Sequence, residues 1–314
     1  MLIETNDKGY CRYRIPGLIP LPDGKLLACC ECRDGDSDWA RIDIRVSEID
    51  PASGARSERL LVHAPGQTLN NPTLIADGNA VHLLYCENYR RAFYMRGSAD
   101  GRTWGDAVEI TEAFGGVKRF FSVLAIGPGH GICTKAGRLI VPVWLAYNRT
   151  DPQAHHPSFI ATLYSDDGGG RWQAGETIDS PALKDPSECN IAELPDGRFL
   201  LMIRNENPEH IRFASISGSG VSGWSSPFPL PALPDPICQG SLAIHKNRLL
   251  FVNCKHRTHR KNLTLSVSGD LFQTLKAVPV DSEGGYSDIA VTGDTAYILY
   301  EQGGRGLCLG RIDL

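Results

Sequence analysis

No apolar run in the 314-residue sequence approaches the roughly 20 residues needed to cross a bilayer as a helix. The N-terminus also lacks a charged stretch followed by a hydrophobic signal core. These absences predict a soluble chain with no membrane insertion and, without an export address, a cytoplasmic location. Long helix-period segments with caps are missing too, and the best stretch, 106–114, is too short to set an architecture. No segment is low in complexity or rich in Pro and Ser, so no linker divides the chain. Nor is there a surplus of basic charge: 32 Lys and Arg against 36 Asp and Glu give a net charge of −4. That balance gives no general reason to expect nucleic acid or an anionic surface as partner, and leaves a local cationic pocket as the more informative feature.

Ten cysteines could pair, but Cys29, Cys30 and Cys32 lie within and just after one strand-like run. Cys86, Cys133, Cys254 and Cys308 sit in or beside others. Free buried thiols in a reducing compartment are expected. Cys254-x-His256-x-x-His259 has no matching half with zinc spacing, so it reads as a loop and no metal is expected. The GPGHG segment at 127–131 has the glycines of a phosphate loop without its Lys-Ser/Thr or a following helix, and reads as a tight loop. The sequons at Asn148 and Asn262 have meaning only on a glycosylating export route.

What is present is repetition. Residues 165–172 read SDDGGGRW, and imperfect copies start at Ser98 (SADGRTW), Ser215 (SISGSGVSGW) and Ser266 (SVSGDLF). The pattern suits a β-turn in which an Asp side chain accepts local backbone N–H groups, Gly takes positive φ and an aromatic residue staples the turn. A second repeat, a turn followed by an apolar run, occurs at Asp23-Gly24, Asp77-Gly78, Ala136-Gly137, Asp196-Gly197, Lys246-Asn247 and Gly293-Asp294. A period near fifty residues belongs to propeller blades. The predicted fold is all-β: a six-bladed β-propeller of four-stranded antiparallel blades, filling 1–314 as a single domain with no accessory lectin domain.

Charged residues beside apolar strands mark where chemistry is to be sought. Arg14 of YRIP precedes the uncharged GLIPLP, and Glu31, Arg33 and Asp38 belong to a polar loop, ECRDGDSDW, directly after a strand. Taken together with GPGHGI, ECNIAELPDG…RN, CQGSL, RKNLTL, GYSD and LYE, these motifs occur in the order that retaining exo-sialidases carry them. From about Tyr13 to Glu301 the sequence resembles that family.

The resemblance implies roles position by position. Arg14, Arg204 and Arg260 match three arginines that clamp a substrate carboxylate, a task suited to permanently charged, planar donors. Arg257 is an alternative to Arg260 within the same loop. Glu301 resembles the acid that orients the first arginine, and Arg33 an accessory arginine near the ring hydroxyls. Tyr286 matches the nucleophile, Glu188 the acid that draws off its proton (with Glu193 as alternative), and Asp38 the general acid/base. A neutral nucleophile fits this substrate class because the anomeric carbon bears a carboxylate that repels an anion. With a free pKa of about 10, it needs a neighbouring base.

The implied activity is release of terminal α-linked sialic acid from sialylated glycans with retention, using no metal or organic cofactor. Two other readings stand beside it: a glycosidase for a related 2-keto acid sugar, such as a deaminated sialic acid or an ulosonic acid, and a non-catalytic glycan-binding propeller. Trp39, Phe120, Phe121 and Trp144 are the candidates for lining an acyl-amino pocket.

Overall fold

Tight turns at all six expected places fold the chain into hairpins. The computed structural model, which describes residues 3–4, 9–304 and 306–314, shows each hairpin joining the two inner strands of one blade. At Lys246 (φ 45°) and Asn247 (φ 62°) both residues of a two-residue turn lie in the left-handed region, as a type I′ hairpin requires. The innermost strands are Arg12–Pro20, Leu69–Ala76, Val123–Ile126, Cys189–Glu193, Ser241–His245 and Ser287–Thr292. Each blade then runs outward in chain order with antiparallel neighbours. The sixth takes its outer strand from the other end of the chain: Ile3–Glu4 pairs with Gly306–Asp313, which closes the ring.

Second strands such as Leu26–Arg33 and Leu139–Ala146 are buried at every residue, whereas the outer strand Arg56–Val62 has only exposed and half-buried residues. Continuous apolar runs therefore sit inside and polar runs form the rim. Separate cores lie between neighbouring blades; Leu84, Leu124, Val141, Phe159 and Trp172, for example, pack the second blade against the third. The stretch with weak helical pattern forms only a short 3-10 helix, Thr111–Gly116.

The Ser/Asp turns join third to fourth strands. Ser165 Oγ reaches Asp167 at 2.8 Å, and Asp167 accepts from Arg171 N at 2.9 Å. The same bonds recur from Ser98 to Asp100 and from Ser268 to Asp270. In the fourth and fifth blades the motif begins at Ser217 and Ser268, two residues after the Ser215 and Ser266 read from sequence. Ser215 and Ser266 lie inside their strands, whereas Ser217 and Ser268 are the last strand residues and lead into the turns, where Ser219 replaces Asp in the fourth blade.

The GPGHG segment interrupts the inner strand of the third blade and crosses to pair in parallel with that of the second, Gly129 with Thr73 and His130 with Leu74. This close approach needs glycine: a Cβ on Gly129 (φ 103°) would lie 3.3 Å from the Asp288 carboxylate. His130 Nδ1 meets Asp288 Oδ1 at 2.6 Å, and Leu18 N donates to Asp288 Oδ2 at 2.7 Å. The expected tight loop is thus an axial tie among the second, third, first and sixth blades.

Candidate active site

Backbone irregularities at strand ends aim the polar side chains. Pairing of Arg12–Pro20 with the next strand slips between Arg14 and Gly17, and Ile15 adopts φ 56° at that bulge. Similar slips accompany Asn71 (φ 54°) and Asn262 (φ 57°), at the same ends of their blades. Such bulges re-aim side chains that regular pleating would turn into the blade.

Glu301 accepts from Arg14 Nε at 3.1 Å, from Ile15 N at 3.1 Å and from Tyr286 N at 3.3 Å. One carboxylate therefore fixes both Arg14 and the strand start that carries Tyr286. The Tyr286 hydroxyl donates to Glu188 Oε1 at 2.5 Å, while Arg204 Nη1 donates to that hydroxyl at 2.8 Å and to Glu188 Oε2. The guanidinium carbons of Arg14 and Arg260 each lie 5.3 Å from the Tyr286 ring centre. Three arginines from three blades thus converge on one buried phenol. Burial pushes the Tyr286 phenol above its usual pKa; Arg204 works against that rise and Glu188 adds to it.

Asp38 stands at the mouth. Arg33, itself 1 % exposed, donates from Nη1 to Asp38 Oδ1 at 2.7 Å and from Nε to Glu31 Oε2 at 2.6 Å. Burial is the largest single influence and favours the neutral carboxyl of Asp38, but the charge and hydrogen bond of Arg33 together with Arg14 and His155 outweigh it and hold the group below the usual carboxylate range. Arg14 Nη1 is 3.9 Å from the same oxygen.

Arg14, Arg33, Asp38, Glu188, Arg204, Arg260 and Tyr286 line a single pocket of about 170 Å³, with Glu301 behind Arg14. The alternatives separate cleanly. Arg257 donates to the Glu209 carbonyl away from this pocket, and Glu193 accepts from Lys135 N at 2.8 Å beside a different cavity on the propeller axis. Of the acyl-pocket candidates, Trp144 lines the site and Trp39 packs 5.0 Å from Tyr89 at its wall. Phe120 and Phe121 line a neighbouring cavity instead. The half-buried His256 and the exposed His259 form a ring pair at 5.1 Å. Ligand-type atoms of His156, Asp185 and Glu206 approach one another at the rim, where His156 Nε2 lies 3.5 Å from Glu206 Oε1.

All ten cysteines are free, with Cys11 exposed rather than buried. Sequence reading had no role for Tyr89, Asn71 and His155, which complete the pocket wall. Asn71 N donates to Glu31 Oε1 at 2.7 Å, and the His155 ring packs 5.0 Å from Tyr89 and 5.1 Å from Trp144. Glu31 and Arg33, expected in a polar loop after a strand, instead belong to the strand Leu26–Arg33, whose pairing on both sides continues past the apolar run; His155, on a polar loop, carried no signal.

Residues 24–299 match the family model described as a BNR repeat-like domain. An exo-alpha-sialidase of Arthroderma benhamiae is 26 % identical over 91 % of this chain and 76 % of that protein. Mouse sialidase-3 is 28 % identical over 77 % of this chain and 64 % of its own length. Among solved structures, the Hadza microbial sialidase Hz136 superposes with a TM-score of 0.86 at 22 % identity, covering all of this chain and 68 % of that one. A Trypanosoma rangeli sialidase, solved with 2,3-difluorosialic acid as a covalent intermediate, gives 0.77 at 20 % identity over 97 % of this chain and 54 % of its own. With the match covering most of its length, the chain belongs to the BNR repeat-like domain family and has sialidases among its relatives.

Proposed function

We propose that the protein is a retaining exo-α-sialidase acting on the terminal sialic acid of sialylated glycans, with Tyr286 as nucleophile. The observation that carries this reading is the Tyr286–Glu188 hydrogen bond set under Arg14, Arg204 and Arg260. A phenol buried beside a base and ringed by cations is costly to maintain unless it meets an anion and reacts. The three guanidinium groups would hold the substrate carboxylate, which brings the anomeric carbon over the Tyr286 oxygen.

As that oxygen attacks, its proton passes to Glu188, and Asp38 protonates the departing glycosidic oxygen. Water then enters where the leaving group was; Asp38 takes its proton, the C–O bond to Tyr286 breaks, and Glu188 returns a proton to the phenolate. Arg33 favours the ionised form of Asp38, so substrate binding has to shift the group toward the neutral acid. A bound carboxylate weakens the field of Arg14, and the sugar excludes water, both of which favour the neutral acid.

Incubation with a 2,3-difluorinated sialic acid tests the reading. Mass spectrometry of peptides should find a glycosyl adduct on Tyr286, together with release of a fluorescent aryl aglycone from the unfluorinated ketoside. No adduct and no release from any aryl ketoside would refute it.

A further inference from the structure

Behind Tyr89 the catalytic pocket adjoins a second cavity of about 490 Å³, and the Tyr89 ring is shared by both. Its floor and rim include Phe120, Ser122, Asn148, Arg90 and Arg149. Phe120 is 48 % exposed, unusual for so large an apolar side chain here, and the Arg149 guanidinium sits 4.6 Å from its ring centre. Arg90 and Arg149 have no carboxylate partner among the described residues, and none of those lining the cavity is acidic. Arg119, next to Phe120 in the chain, differs in being paired to Asp179 at 2.9 Å.

The cavity wall is also linked to Asp38 through the chain. Trp39, the neighbour of Asp38 in the chain, packs against Tyr89, and Asn70 Nδ2 donates to the Asp38 carbonyl oxygen at 3.1 Å. The residue assigned to protonate the glycosidic oxygen is thus one position from a ring packed on the wall that the two cavities share. An exposed ring suits the C–H face of a sugar, and two unpaired guanidinium groups suit a carboxylate.

We infer that this cavity is the leaving-group subsite and that it selects a penultimate sugar bearing a carboxylate, such as a second sialic acid. The inference rests on the activity proposed above. It is tested by comparing kcat/KM on an α2,8-linked disialoside, a neutral α2,3-sialyllactoside and an aryl sialoside, for wild type, Arg90→Ala and Arg149→Ala. The substitutions should lower efficiency on the disialoside by about tenfold or more, mainly through KM and less so at high salt, as loss of a rim charge implies. Efficiency on the lactoside and the aryl sialoside should stay within about twofold of wild type. Equal losses on acidic and neutral glycans, or no loss on either, would overturn the inference while leaving the hydrolase reading intact. Failure of the wild type to release any of the three would instead remove the reading beneath it.

Discussion

Tyr286 and Asp38 carry opposite electrostatic burdens. The phenol is pushed up by burial, so attack depends on Glu188 taking its proton; the carboxyl is held down by Arg33, so donation depends on a changed environment when substrate binds. Tyr286→Phe should cut kcat by roughly 10³-fold or more while leaving the affinity for a carboxylate-bearing inhibitor, measured by calorimetry, within about twofold. Asp38→Asn should cost roughly 10²–10⁴-fold on natural glycans, whose leaving groups need a proton, and far less on activated aryl sialosides. Wild-type kcat/KM on natural glycans should fall as pH rises above the depressed Asp38 pKa, because only the protonated form can donate, and the aryl profile should be flatter. Arg260→Ala should lose about 2–5 kcal/mol of transition-state stabilisation in kcat/KM, and Arg257→Ala little, since only Arg260 lines the pocket. Arg14 and the 31–39 segment were legible as charges beside apolar strands, whereas Tyr286, Glu188, Arg204 and Arg260 were legible only through the motif order that resembles the sialidase family. Tyr89 and Asn71 resemble ordinary loop and strand residues, and their place in the wall is fixed only when blades meet.

Strands and turns divide along the same line. Turn positions could be read from Gly and Asp pairs because local sterics set them, and all six open blades as expected. The path of residues 127–131 depends on contacts with three other blades, which local sterics do not encode. His130 and Asp288 give that path a measurable consequence. Burial is the largest single influence and lowers the His130 pKa, but the charge and hydrogen bond of Asp288, with a backbone hydrogen bond at Leu242, outweigh it and the net shift is upward. The pair's contribution to stability is therefore fully present below the unfolded His pKa of about 6.5 and is lost as pH rises through the higher folded value. The difference in Tm between wild type and His130→Gln should be largest in acid and shrink as the solution becomes alkaline. Asp288→Ala, which strands a buried imidazolium and the Leu18 N–H, should cost on the order of 3–5 kcal/mol in denaturant unfolding near pH 6. A Tm difference for His130→Gln that did not vary with pH would show that the pair acts by packing alone.

Ring closure is what turns scattered residues into a site. Arg14, Arg204 and Arg260 are distant in sequence, yet pairing of Ile3–Glu4 with the last strand and packing of the blades against their neighbours bring all three to the phenol of Tyr286. The repeat period carried that architecture in the sequence, whereas the positions of the second cavity and of His155 depend on loops, mostly within blades, that no period constrains. The central claim is a covalent glycosyl-enzyme on Tyr286, and its most direct test is the anomeric configuration of the first product, followed by time-resolved proton NMR before mutarotation. Two successive inversions at the anomeric carbon predict early α-sialic acid, with the β-anomer growing only later. Early β-anomer would mean direct attack by water, and would leave Tyr286 without the bond to carbon that the account requires.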